Sequence, residues 1–420
     1  MSFQQGLSGL NATSKNLQVI GNNIANANTF GSKVARAEFS DVYAASLNGG
    51  GSSNIGIGTN LAAVAQQFTQ GNIKTTENPM DLAINGAGFF QLTDGKSPVT
   101  FSRNGQFKVD RDGFLVNNSL QKLMGYAADA LGQIQPGQAV ALQLPTSGVA
   151  PSPTSKIAIE MNLRSRDAVT LPTVGAQIDF NDADTFNNAT SLTVFDAKGQ
   201  DVALTYYFQK SANDTWNVYA TANGNTIAGT AAAPLPITTL QFAPNGSAPI
   251  APVGTVAFNV PVTTSTNGST TLAINGIQLD LGTATQYGTA FSVTALSQDG
   301  FAAGQLTALA IESNGIVTAR YSNGQSRPAG QVEIANFRNA QGLQPIGDNA
   351  WSRTFTSGDP VTGVPGDGNL GVLQAGALEE SNIDLTGELV NMIISQRIYQ
   401  ANAQTIKTQD QVLQTLVNIR

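Results

Sequence analysis

The sequence predicts a multidomain, mainly β protein: nested all-β domains bracketed by α-helical N- and C-terminal segments that pair as a coiled-coil-like inner domain. Three observations carry that expectation. Apolar residues recur at heptad spacing at the two ends of the chain. Between the ends, short β-prone runs alternate with turns rich in Gly, Asn and Asp. A long stretch in the middle has a different, more repetitive polar texture from the β segments on either side of it.

At the C-terminus, Leu385, Leu389, Met392, Tyr399, Ala403, Ile406, Leu413 and Val417 fall at steps of four and three or their multiples, interrupted by Gln396 and Asp410. Ser381 to Asp384 reads as a capping-box start, and no proline breaks the run. At the N-terminus, Phe3, Leu7, Leu10, Leu17 and Ile24 follow the same stepping, with Ser14 and Gly21 in the weak positions and Ser2 to Gln5 as a second capping box. Either the two stripes meet each other or each packs on a nearby domain. Both are too short and flawed to be stable as an isolated pair, so neighbouring copies are expected to complete the burial.

Between the helices, the turn formers of 21–31 end the first pattern, and 32–47 reads as partly helical, followed by a flexible glycine-rich loop at 48–54. Strands are expected at 82–84, 88–92, 105–109 and 113–116, separated by Asp-Gly turns. The Pro-rich run 144–153 marks a boundary. Beyond it, 191–195 and 202–208 read as a hairpin about Asp196 to Gly199, with 215–219 as the next strand. The runs 292–296, 304–309, 315–321 and 331–335 resume the earlier style. The expected organisation is therefore 1–30 with 381–420 as a terminal helical domain, 31–70 with 350–380 as connectors, 71–145 with 285–349 as a first β domain, and 146–284 as an inserted β domain.

Charged residues make up only 12% of the 420, and hydrophobic residues 41%. Against roughly 25% charge in ordinary soluble domains, much of the surface must be uncharged, and such surface can be buried without stranding ions. The net charge of −7 argues against nucleic acid as a partner. Cysteine and histidine are absent, which excludes disulfides and every Cys or His metal site. No run is long and apolar enough for membrane insertion, and the first residues lack the order of a cleavable signal. Gly95 to Ser97 lacks the earlier glycine of a P-loop, and in Asp110 to Gly113 the glycine comes too early for a calcium loop. Both read as turns. No catalytic, cofactor-binding or metal site is expected.

Four stretches carry a family resemblance. Residues 22–31 (NNIANANTFG), 79–90 (PMDLAINGAGFF), 101–116 with 123–126 (FSRNGQFKVDRDGFLV, LMGY), and 376–385 with 388–399 and 404–410 resemble, in order, the signatures of the flagellar rod and hook family. Segments 193–199, 298–304 and 321–325 are similar to hook rather than rod subunits. The resemblance implies a structural homopolymer, a curved, flexible tube acting as a universal joint between motor rod and filament. It implies an inner layer of terminal helices, a middle tube of first β domains, and the inserted domain outside. The implied partners are further copies of the chain itself, the rod, hook-cap and hook-filament junction proteins, and the flagellar type III export apparatus, through which the chain would pass uncleaved. Phe39 to Tyr43 resembles the element with which such subunits dock at the export gate; the alternative is two residues one helical turn apart on a core face. Two other readings stand beside this one: a distal rod subunit, and a secreted β-rich enzyme or carbohydrate-binding protein.

Overall fold

The structure is a computed structural model that describes residues 2–42, 56, 58–129, 132–170, 178–264 and 268–418, with side chains to 415 in the last stretch. The chain divides into two compact units: Met1–Thr146 with Ala308–Arg320 and Ser326–Arg420, and Ser147–Thr307 with Tyr321–Gln325.

The first unit holds two long helices, α1 (Ser2–Asn26) and α2 (Leu385–Asn418). Asp384 caps α2, its Oδ1 accepting from Thr386 N (3.0 Å). The N-cap of α2 is thus Asp384 rather than Ser381, the cap expected from the sequence. The Gln5 amide donates to Gly56 O (2.7 Å) instead of closing a box at the start of α1. Residues 35–42, expected to be partly helical, instead form strand β1 (Ala35–Val42), paired antiparallel with β2 (Gly58–Gln66). The side chain of Asn23 decides this locally. Its Oδ1 accepts from Ala35 N (3.0 Å) and its Nδ2 donates to Ala35 O (2.8 Å), which turns the chain back as an extended strand against α1.

The rest of this unit is a β body. Strand Phe89–Thr93 pairs with Thr100–Ser102 and Lys122–Ala127, and with Ile334–Asn336 from the far side of the chain. Residues 350–380, expected as connectors, supply strands. Ala350–Ser352 pairs with Thr100–Ser102, Val372–Ala375 with Leu82–Asn85, and Ala377–Glu379 with Ile73–Thr75. An aromatic cluster of Phe89, Phe101, Phe337 and Trp351 fills one core, with Phe68 packed edge-on against Phe89 and Trp351.

The second unit is a β sandwich. Its larger sheet runs through Asn188–Phe195, Asp201–Ala212, Thr215–Ala222 and Thr238–Phe242, so the hairpin about Asp196 to Gly199 forms as expected. Val202, Leu204, Tyr206 and Phe208 alternate inward, the period-two signature of a half-buried strand. The smaller sheet places Lys156–Asn162 between Ile274–Asp280 and Ser292–Gln298. Residues 292–298, expected in the first β domain, therefore belong here, because they complete a ladder with Lys156–Asn162. Trp216 and Ile277 share one core from the two sheets.

Candidate assembly surface

The α1–α2 pair is antiparallel, and the contacts fix its register. A methyl group on Gly6 would lie 3.1 Å from Ile406 Cγ1, and one on Gly9 2.9 Å from Asn402 Nδ2. Further along, Asn16 Nδ2 donates to Ser395 Oγ (3.0 Å), and Asn23 Nδ2 to Glu388 Oε2 (3.4 Å). Gly6, Gly9, Thr13, Asn16, Ile20 and Asn23 follow steps of three and four and form the face of α1 turned inward; Thr13, Ile20 and Asn23 are buried. Thr13 satisfies its hydroxyl on Gly9 O (2.7 Å). Small and carboxamide side chains let the two backbones come close while each polar group keeps a partner.

This seam differs from the predicted stripe on α1 and shares Ile406 with the predicted stripe on α2. Phe3 and Leu7 are nearly half exposed, and Leu10, Leu17 and Ile24 are only partly covered. On α2, Met392, Ala403 and Ile406 are half-buried and Tyr399 lies at the border of exposure, whereas Leu385, Leu389 and Leu413 point into solvent, and the Val417 side chain lies outside the described residues. Val390, Ile393, Ile394 and Ile398 are also exposed, and the exposed set from Leu385 to Leu413 lies at 42–53% apart from Tyr399. Hydrophobic periodicity picked out the outward stripe of α1 because leucine dominates that signal. The inward seam is legible only as small residues at heptad spacing, Gly6, Gly9 and Thr13. A groove of about 380 Å³ between α1, α2 and β1 is of mixed character, lined by Val19, Ile20, Ile394 and Ile398 on the apolar side and by Arg36 and Glu388 on the charged side.

Below the helices, one buried carboxylate ties the segments together. Glu379, just before α2, accepts from Lys33 Nζ (2.6 Å) and Gly71 N (2.8 Å) on one oxygen and from Arg103 Nη1 (3.0 Å) on the other. All three charged side chains are buried. Burial pushes the Lys33 ammonium below its ordinary pKa, opposed by the Glu379 charge and hydrogen bond and helped by Arg103. Burial also lowers Arg103, again opposed by Glu379. Two cations share one anion, so the carboxylate holds both sides of the helix root. Asn382 adds to the root, its Oδ1 accepting from Val34 N (2.8 Å) and its amide donating to Gln67 O (2.9 Å).

Phe39 lies in β1, at a bulge between Glu38 and Phe39, and is 41% exposed; it is not on a helix, and Tyr43 and the loop at 48–54 lie outside the described residues. Asp94 closes the turn at 95–97, with Oδ1 accepting from Lys96 N and Ser97 N, an arrangement that lowers its pKa to about 2. No group of three or more metal-ligating side chains occurs among the described residues.

The chain matches four family models: "Flagella basal body rod protein" at 3–33, "Flagellar hook protein FlgE/F/G D1 domain" at 83–194, "Flagellar basal body protein FlaE D2 domain" at 162–301, and "Flagellar basal body rod FlgEFG protein C-terminal" at 374–419. It is 41% identical to the flagellar hook protein FlgE of Escherichia coli over the whole of both chains. The chain belongs to the flagellar hook protein family. The hook protein of Salmonella typhimurium is equally similar, at 41% over both full lengths, and that of Borreliella burgdorferi is 31% identical across 100% of this chain and 99% of its own. The crystal structure of Helicobacter pylori flagellar hook protein FlgE2 shares the fold at a TM-score of 0.51 and 15% identity, covering 73% of this chain and all of that one. Within the hook family, the two terminal models coincide with α1 and α2 and so with the surface just described.

Proposed function

We propose that this chain is the structural subunit of a bacterial flagellar hook and that it self-assembles through its terminal helix pair into a curved, flexible tube that transmits torque from rod to filament. The observation that supports this most directly is the helix pair. Its internal seam is closed by small and polar residues, while a longer apolar stripe, with the groove beside it, stays open. An apolar helix face of that length is covered in a stable state, and the helix of a second copy has the matching chemistry. Between Phe3 and Asn26 the only charged residue is Lys15, so little charge would be stranded. The inner and middle layers of the tube then correspond to the helix pair and the β body. Rod, hook-cap and hook-filament junction proteins are its end partners. Export is uncleaved, and docking of Phe39 at the export apparatus precedes folding, because folded Phe39 is part of a paired strand.

The test replaces Leu389 and Ile393 together by Ser. Loss of tubes in electron micrographs, with the thermal unfolding of the β regions unchanged, is the expected result. Tubes at the wild-type critical concentration would overturn assembly through the helices, and straight, stiff tubes from the wild type would favour a rod subunit instead.

A further inference from the structure

One turn in the β body breaks a rule that the chain keeps elsewhere. Leu120 N donates to Asn117 O (3.1 Å) and Asn117 N to Gln121 O (2.9 Å), closing the hairpin between Leu115–Val116 and Lys122–Ala127. The turns Asp110–Phe114, Asp196–Gln200, Glu312–Ile316 and Tyr321–Gln325 make the same pair of bonds. Each of those four places glycine at the fourth position, with φ of +86° at Gly113, +77° at Gly199, +84° at Gly315 and +81° at Gly324. At the same position Leu120 has φ of +61°. A Cβ is strained in that left-handed region, which is why glycine is the common choice there. Among the described residues, the other non-glycine residues at positive φ are Asp214, Asn223, Asp348 and Asn349, whose short polar side chains tolerate it. Leucine has no such reason.

Little within the described residues covers Leu120, which is 74% exposed. The turn is nonetheless held still. Asn117 Oδ1 accepts from Ser119 N (3.0 Å) and Gln121 N (2.9 Å), and Ser119 Oγ donates to Asp348 Oδ2 (2.8 Å) on the neighbouring hairpin. Exposure alone would mean little: Phe355 is wholly exposed, but not at positive φ, and lone exposed apolar residues are common. Exposure combined with strain that a glycine would relieve points to a use outside the monomer.

We propose that Leu120 is a rigid apolar knob that a second copy of this chain covers in the assembled tube, a contact of the β body separate from the helix pair. It rests on the polymer reading above. The covering surface is apolar at Leu120 itself and must accommodate the Asp348 carboxylate that Ser119 holds beside it.

The prediction has opposite signs for the monomer and the polymer. Leu120→Gly should raise the unfolding temperature of the β body by ~2–4 °C, as relief of this strain implies, and yet raise the critical concentration for assembly about tenfold through lost apolar contact. Leu120→Met keeps the apolar reach and should assemble like the wild type. Because the chain has no cysteine, Leu120→Cys gives a single thiol, which should react freely with a maleimide in dilute monomer and ~tenfold more slowly in tubes. A Leu120→Gly chain that is more stable but assembles normally would overturn the proposal, as would equal thiol reactivity in both states. A less stable Leu120→Gly chain would show that leucine serves its own fold, which also sinks it. A wild-type chain that never assembles would instead refute the polymer reading, before any variant is compared.

Discussion

In the β body of the first unit the large side chains are under cover: Phe90, Phe101 and Trp351 are at most 2% exposed, and Arg103 and Lys33 are both answered by Glu379. In the helix pair rooted on that body, Ile393, Ile394 and Ile398 stand about half in solvent while glycine, threonine and asparagine occupy the internal seam. The two regions follow opposite rules for the same residue types. The body buries its largest aromatic groups and the Glu379 ion cluster within one subunit, with Leu120 and Phe355 as exposed exceptions. The pair spends its smallest residues on the internal contact and leaves its largest outside. Stability of the monomer therefore lives mainly in the body, and the larger open apolar surface lies on the helices. Substitutions should separate the two.

The largest effect is expected at the root. Glu379→Gln leaves Lys33 and Arg103 buried beside each other without a counter-charge, and breaking a buried pair in this way costs about 3–5 kcal/mol. Denaturant unfolding should show that loss in the midpoint, and assembly should weaken with it because the root no longer holds α2. A loss below about 1 kcal/mol would mean that water reaches the cluster and that the body is less closed than the comparison supposes.

A smaller effect, with a distinctive pH dependence, is expected inside the body. Tyr126 donates to Glu333 Oε1 (2.8 Å) while Gln91 donates to Glu333 Oε2 (2.7 Å), and Glu333 is buried. Burial, then the hydrogen bond to Glu333 and its charge, raise the Tyr126 hydroxyl to about 12. A folded pKa above the ordinary 10 means that this contribution is complete below pH 10 and is lost as pH rises toward 12. Tyr126→Phe should cost about 1–2 kcal/mol at neutral pH and flatten the decline between pH 10 and 12. An unchanged alkaline decline would place its origin elsewhere.

How much of this was legible in the sequence follows from the range of each interaction. The hairpin about Asp196 to Gly199 was legible because its alternation and its turn are local. Both helices were legible for the same reason. The face of α1 that meets α2 was not, since Gly6, Gly9 and Thr13 contribute nothing to a hydrophobic period. Strand β1 was hidden by Ala35, Arg36, Ala37 and Glu38, poor strand formers whose extended form depends on Asn23 and on β2. Lys33 and Glu379 lie 346 residues apart, so only the closed fold brings them together. The same holds for residues 292–298, which read as part of one β domain until their partner Lys156–Asn162 is known.

The smallest effect on the monomer is expected at Gly9, where the comparison is tested most sharply. Alanine is favoured over glycine within a helix by about 1 kcal/mol. Here its methyl group would stand 2.9 Å from Asn402 Nδ2, the end of a side chain that can turn aside. Gain and crowding should nearly cancel, so Gly9→Ala should change unfolding free energy by no more than ~0.5 kcal/mol. Turning Asn402 aside or moving α2 outward, however, shifts the apolar stripe that neighbouring copies must meet, and packed interfaces tolerate such shifts poorly. Sedimentation should then show a raised critical concentration with an unchanged unfolding curve. If both readouts stay at wild-type values, the spacing set by the glycine seam is not what assembly reads, and the division between a self-sufficient body and an open helix pair must rest on the apolar stripe alone.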